Sequence, residues 1–178
     1  MTNDPSQSTI IFPFAKVVIA GDVGVGKSSL IRRYCVGTFE ESRLVTTGID
    51  FQIKIVQVNG SSIKLSIWDI AGQERFGAFR DTFYLGAKVV ALVYDLANPA
   101  TLDSLPRWHS GVAQICPKAK FVVVGNKLDL GRRVMREQVE EWARSMGLPY
   151  METSALTSEG VDSLFQTLAE LTAQKPSQ

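Results

Sequence analysis

The chain has 178 residues, 45% of them hydrophobic and 21% charged, the composition of an ordinary globular protein rather than a disordered or fibrous one. Nineteen Lys and Arg oppose eighteen Asp and Glu, so the net charge is +1 and the basic field that nucleic-acid binding requires is missing. The length is that of one domain, which buries roughly 70% of the surface its unfolded chain exposes.

Residues 1–13 read as a loose N-terminal tail, 14–173 as the domain and 174–178 as a polar end. Met1 to Ser8 lacks the basic flank and long apolar run of a secretory signal, and Val89 to Val93 is too short to span a bilayer. Cys35 and Cys116 sit in apolar stretches without metal-ligand spacing and read as reduced packing residues of an intracellular protein.

Ala15 to Ala20 is a β-branched run ending at Gly21, and Lys27 to Val36 reads as a helix, which gives strand, glycine loop, helix. Phe51 to Val58 and Ser62 to Trp68 each alternate apolar and polar residues around Asn59-Gly60, so an antiparallel hairpin follows. Three strand-then-helix pairs come next: Val89 to Tyr94 before Leu102 to Ile115, Phe121 to Val124 before Met135 to Met146, and Tyr150 to Glu152 before Val161 to Thr172. This order predicts an α/β fold of the P-loop type: a six-stranded, mostly parallel sheet with one antiparallel edge strand and about five helices on both faces. The solidly apolar runs VVALVY and FVVV are expected at the sheet's centre. Long gaps at Gly37 to Gly48 and Ala71 to Phe83 are candidate moving loops.

Gly21 to Ser28 fits G-x-x-x-x-G-K-S between a strand and a helix. Backbone N–H groups of Asp22, Val23, Gly24, Val25 and Gly26, continuing through Ser29, can curl around an anion. Lys27 is expected to reach the β- and γ-phosphates, and the Ser28 hydroxyl to ligate Mg²⁺. A bare glycine turn with a solvated lysine is the competing reading of the octet alone.

Base choice falls to Asn126-Lys127-Leu128-Asp129, directly after the FVVVG strand, at the carboxyl end where ligands bind in open α/β sheets. The Asp129 carboxylate can accept from the N1–H and exocyclic amine of guanine, a donor pair adenine does not present. Asn126 would brace the pocket and contact N7, and the Lys127 stem would cover one face of the base. In Trp68-Asp69-Ile70-Ala71-Gly72-Gln73-Glu74, Asp69 is expected to face the magnesium shell through water. Gly72 N–H would bond the γ-phosphate, and Gln73 would orient an attacking water. Thr46 or Thr47 should close over Mg²⁺, with spacing picking Thr46.

From about Phe14 to Thr172 the chain resembles the Ras superfamily, and within it the Rab family of membrane-traffic GTPases. The resemblance rests on the phosphate loop, NKLD, and the segments TTGIDF, KLSIWDIAGQERF, FYLGA and ALVYDL. It implies that Thr46, eighteen residues past Ser28, ligates Mg²⁺ in the GTP state, that Phe39 packs on the guanine, and that Ser154, Ala155 and Leu156 of the ETSA region border the base. The Ala155 N–H would bond O6. It further implies that Phe51, Trp68 and Phe83 face effectors, and that Lys27, Thr46 and Gln73 carry GTP hydrolysis. An exchange factor and a GTPase-activating protein are expected, as is a monomer in the cytoplasm or peripheral on intracellular membranes, where only a lipidated tail absent here would anchor it. Val23, where the family has a small residue, predicts slow hydrolysis. Arg43, Thr47 and Leu156 depart from the family pattern and bear on effector choice. The alternative reading is a GTP-locked adaptor. His109 lies apart from every motif and reads as structural or exposed.

Overall fold

The computed structural model describes residues 12–39, 49–70 and 82–174. Its strands are β1 (Phe14–Ala20), β2 (Ile49–Val58), β3 (Ser61–Ile70), β4 (Ala87–Asp95), β5 (Lys120–Asn126) and β6 (Tyr150–Glu152). They form one sheet in the order β2-β3-β1-β4-β5-β6, with β2 antiparallel to β3 and every other pairing parallel. Helices among the described residues are α1 (Lys27–Val36), α2 (Pro99–Asp103), α3 (Leu105–Ile115), α4 (Arg136–Ser145) and α5 (Val161–Ala173), with a 3-10 turn at Leu128–Leu130. The expected mostly parallel sheet with one antiparallel edge strand is present.

The hairpin between β2 and β3 turns at Asn59 and Gly60, with φ of 50° and 79°. Two successive positive φ angles match the twist of the flanking strands, which is why Asn-Gly is favoured there.

Strand periodicity divides the core into two layers. Val17, Ile19, Ala91, Val93, Val122 and Val124 face α1 and α5 and meet Leu30, Leu164, Phe165 and Leu168. Val18, Val90, Leu92, Phe121 and Val123 face the other way and meet Leu105, Trp108, Val112 and Val139 of α3 and α4. Successive side chains point to opposite faces of a strand, so a strand with helices on both sides must be apolar at almost every position.

Two expectations are corrected. Of the runs expected at the centre, β4 is central, but its central neighbour is β1; β5 lies one strand from the edge, flanked by the three-residue β6. Apolarity reports that both faces of β5 are covered, not its rank in the sheet. β1 reads as more polar because it carries Lys16, whose ammonium lies 3.8 Å from the Trp68 ring centroid and donates to Leu85 O at 3.1 Å. The second correction concerns the helix expected over Leu102 to Ile115, which is α2 and then α3, interrupted at Ser104. Pro106 sits in the first turn of α3, where its missing N–H costs nothing, and it would have broken a continuous helix.

Cys116 is buried, its thiol donating to Tyr84 O, and Cys35 is half-buried; both are free thiols. His109 packs its ring 4.5 Å from that of Phe121. No helix among the described residues is long and apolar enough to cross a membrane.

Candidate functional site

β1 delivers the chain to Gly21, and the glycine loop hands it to α1 at Lys27. The Lys27 side chain is buried and folds back over the loop, its ammonium donating to Gly21 O at 2.9 Å and Asp22 O at 2.8 Å. The cation is thereby fixed under the loop. Val23 is 42% exposed, and beyond the adjoining residues no atom of the described residues lies within 4 Å of where a side chain at Gly24 would begin. Val25 is fully buried and ties the loop to the core.

Asp69, in register with Ile19 of β1 and Asp50 of β2, stands beside the loop. Its Oδ2 accepts from the Ser28 hydroxyl, while Oδ1 is buried with no hydrogen-bond partner among the described residues. Burial pushes this carboxyl above the usual range; the Ser28 hydrogen bond and the Lys27 charge oppose the shift, and Asp50 adds to it. A hydroxyl oxygen beside a buried carboxylate with a spare oxygen is a donor set that a hard divalent cation suits, so Ser28 and Asp69 fit the expected Mg²⁺.

Asp22 has a partner that sequence reasoning missed. Its Oδ1 accepts from the Trp108 indole N–H at 2.7 Å, and the Arg107 guanidinium lies 4.0 Å away. This pins the phosphate loop to α3.

On the base side, Asn126 ends β5, is almost fully buried, and uses both ends of its amide. Nδ2 donates to Val25 O at 2.9 Å and Oδ1 accepts from Thr153 Oγ1 at 3.1 Å. The phosphate loop, the NKLD turn and the ETSA segment therefore meet on one side chain. Lys127 adopts φ 66°, runs past Gly26 and pairs with Asp95 Oδ2 at 2.7 Å. The Asp129 carboxylate is exposed on the 3-10 turn and accepts from the Ser154 hydroxyl, which itself accepts from the Thr157 N–H at 3.0 Å. Ala155 is buried and Leu156 is 48% exposed. Phe39 packs half-buried against the layer of α1 and α5. Ser29 follows Ser28 on α1, half-buried. Thr46, Gly72 and Gln73, like Arg43 and Thr47, lie outside the described residues.

Away from the phosphate loop, Phe51 stacks on Trp68 with centroids 5.5 Å apart, and Trp68 meets Phe83 at 6.3 Å. Phe51 is 52% exposed on the edge strand, and Ile53 and Ile55 continue its face.

A polar network braces the two base-side turns from outside. Arg132, three residues past Asp129, makes a bidentate pair with Glu152 at 2.5 and 2.7 Å. Tyr150 OH also donates to Glu152 at 2.5 Å and lies 2.9 Å from Tyr94 OH, whose pKa burial pushes up to about 12. The Arg132 hydrogen bonds hold the Glu152 carboxyl below its usual range. A depressed native pKa stabilises the fold above the unfolded glutamate value and is lost as pH falls through the native value. Arg132→Met is therefore expected to cost about 1 kcal/mol at pH 7, a charged hydrogen bond discounted for solvent screening, with the gap to the parent closing below about pH 4.5. Thermal unfolding of both proteins between pH 7 and pH 3 measures this, and a gap that stays constant across the range contradicts it.

Two turns at the carboxyl ends of β1 and β5, a lysine-capped anion loop and a carboxylate-bearing turn joined through Asn126, make this a guanine-nucleotide-binding protein of the phosphate-loop class. The sequence model of the Ras family matches residues 16–174. The chain is 40% identical over 162 residues to Ras-related protein SEC4 of Saccharomyces cerevisiae, covering 90% of this chain and 75% of that protein. It is 41% identical over 157 residues to Ras-related protein Rab-30 of Homo sapiens, covering 86% and 77%, and 37% identical over 171 residues to Ras-related protein Rab-1A of Dictyostelium discoideum, covering 92% and 85%. The chain belongs to the Ras family. It is a Rab-like small GTPase, binding GTP and GDP and hydrolysing GTP.

Proposed function

We propose that the chain is a Mg²⁺-dependent GTP switch that regulates membrane traffic by presenting different surfaces in its two nucleotide states. The observation that carries this reading is the Asn126 amide bonded to Val25 O, which joins the phosphate loop to the base turn. In the reading, residues 14–173 form the working domain, Asn126, Lys127 and Asp129 with Ser154, Ala155 and Leu156 border the base, and Phe39 packs on it. Residues Asp22 to Ser29 cradle the phosphates. Ser28, Thr46 and, through water, Asp69 would hold the metal, which would supply charge neutralisation at the phosphates.

Hydrolysis is in-line attack by water. Gln73 orients that water, and Lys27 with the loop N–H groups stabilises the charge that develops on the phosphoryl oxygens. The family and the relatives favour this hydrolysing switch over a GTP-locked adaptor. Phe51, Trp68 and Phe83 serve as the effector face, and an exchange factor and a GTPase-activating protein set the two rates. The protein works as a monomer in the cytoplasm or peripherally on intracellular membranes. Chromatography of the nucleotide released from freshly purified protein tests the reading: GDP or GTP is expected, and adenine nucleotide or none refutes it.

Val23 sets the rate. Its branched side chain is 42% exposed on the loop, and in this reading it would crowd Gln73 and any arginine supplied by a partner. A displacement of about 1 Å at a reacting centre costs on the order of a hundredfold. Val23→Ser is expected to accelerate single-turnover GTP hydrolysis roughly ten- to a hundredfold; an unchanged rate rejects the assignment.

A further inference from the structure

We infer that Arg33 is a positioning residue of the guanine pocket, one guanidinium that holds in place both the turn facing the base edge and the aromatic ring facing the base plane. The inference rests on the guanine-nucleotide reading above. Arg33 lies in the last turn of α1, where a cation is favoured by the helix carboxyl terminus. Its Nε donates to Ala155 O at 2.8 Å and its Nη2 to Leu156 O at 2.9 Å, across 122 and 123 residues of sequence. Nη1 donates to Gly37 O at 3.0 Å, and the guanidinium carbon lies 5.9 Å from the centroid of the Phe39 ring.

Two adjacent carbonyls taken by one planar fork fix two successive peptide planes. On the other side of Ala155, Ser154 is fixed by its own N–H, which donates to Glu159 O at 2.9 Å, and by its hydroxyl. The Ala155 N–H, expected at guanine O6, therefore points from a segment held at both ends. The Gly37 bond and the contact with Phe39 fix the start of the loop that carries the stacking ring.

Packing of α1 does not need these bonds. Leu30 and Ile31 are buried in the core, and Tyr34 stacks on Phe165 with centroids 4.1 Å apart and planes within 7°. What the guanidinium adds is the placement of the two pocket walls, and a lysine, a point charge without the fork, cannot supply it.

The test is release of nucleotide from the full chain, comparing GDP with the diphosphate of 2-aminopurine riboside, which lacks O6 and with it the N1–H; the lost contact to Asp129 is common to parent and variants, so each variant is read as a ratio to the parent with the same nucleotide. Arg33→Lys is expected to release GDP about tenfold faster, the scale of one weakened hydrogen bond, and to change release of the O6-less nucleotide by less than about threefold. Arg33→Met, of similar length and without donors, is the second variant, and far-ultraviolet circular dichroism establishes that each is folded. Should both variants misfold, hydrogen exchange of the parent decides: the Ala155 amide protected more strongly with GDP than with the O6-less nucleotide supports the role, and equal protection overturns it. Unchanged GDP release, equal acceleration of both nucleotides, or a lower unfolding midpoint without faster release also overturns it. A parent chain that binds no GDP refutes the nucleotide reading itself, a result separate from any behaviour of the variants.

Discussion

Replacing Gly26 with alanine is expected to lower GDP affinity by two to three orders of magnitude. Gly26 has φ 96°, in the region that costs a residue with a Cβ roughly 1–2 kcal/mol. The added Cβ would stand 2.3 Å from Asn126 Nδ2. Asn126 cannot give way without abandoning Val25 O, and the carbonyl left behind is buried, which costs roughly 1–3 kcal/mol. The sum, roughly 2–5 kcal/mol and centred near 3.5, is at its centre a factor of several hundred in binding. Its consequence is specific, since the displaced side chain links the phosphate loop to the base turn. Calorimetric titration with GDP measures it, and affinity within fivefold of the parent would show that the loop accommodates the methyl group elsewhere.

Most of the fold is legible in the sequence because its boundaries are marked by residues with special backbone requirements. The ends of α1 coincide with the expectation because Gly26 and Gly37, both left-handed, bracket it. The hairpin is placed by Asn59-Gly60. Where local chemistry speaks against the structure, the reading fails. β2 and β3 each run two residues further than alternation suggests, pairing Asp50 opposite Asp69. Facing carboxylates look like the end of a strand, and here the ladder continues because Asp69 is carried to the phosphate loop. The break between α2 and α3 was available in Pro106 but is masked by an apolar period that runs across it.

The site divides in the same way. Side chains expected to meet the nucleotide stand in contiguous motifs, and the structure brings Lys27, Ser28, Asp69, Asn126, Asp129 and Ser154 around one locus. The residues that brace them have no such signature. Asp22 with Trp108, Arg132 with Glu152, and Arg33 with Ala155 are pairs separated by 86, 20 and 122 residues. Each is an arginine or tryptophan on an amphipathic helix or turn, indistinguishable in sequence from a solvated or core residue. Only the folded sheet, by aligning the carboxyl ends of β1, β4, β5 and β6 along one edge, makes them neighbours.

Asp129→Asn is expected to reverse the choice of base. One oxygen of Asp129 accepts from the Ser154 hydroxyl, which orients the carboxylate and leaves its other lone pairs for the ligand. Guanine offers two donors there, N1–H and the amine at C2, and a carboxylate accepts from both. An amide can accept from only one; its NH₂ then faces the second donor, so one hydrogen bond to a charged group becomes a repulsive contact. Losing such a bond costs roughly 1.5–3 kcal/mol, and sites built around a donor–acceptor pair reject a mismatched partner by several orders of magnitude. GDP affinity should therefore fall on the order of a thousandfold. Xanthine carries a carbonyl at C2 in place of the amine and presents a donor beside an acceptor, the complement of the asparagine amide. Xanthosine diphosphate should then bind the variant more tightly than GDP does, with Lys27 and the phosphate loop untouched. Competitive displacement of a fluorescent nucleotide by the two diphosphates reads the preference directly. A variant that still selects GDP would move the origin of base selectivity away from Asp129, to the backbone of the Ala155 turn.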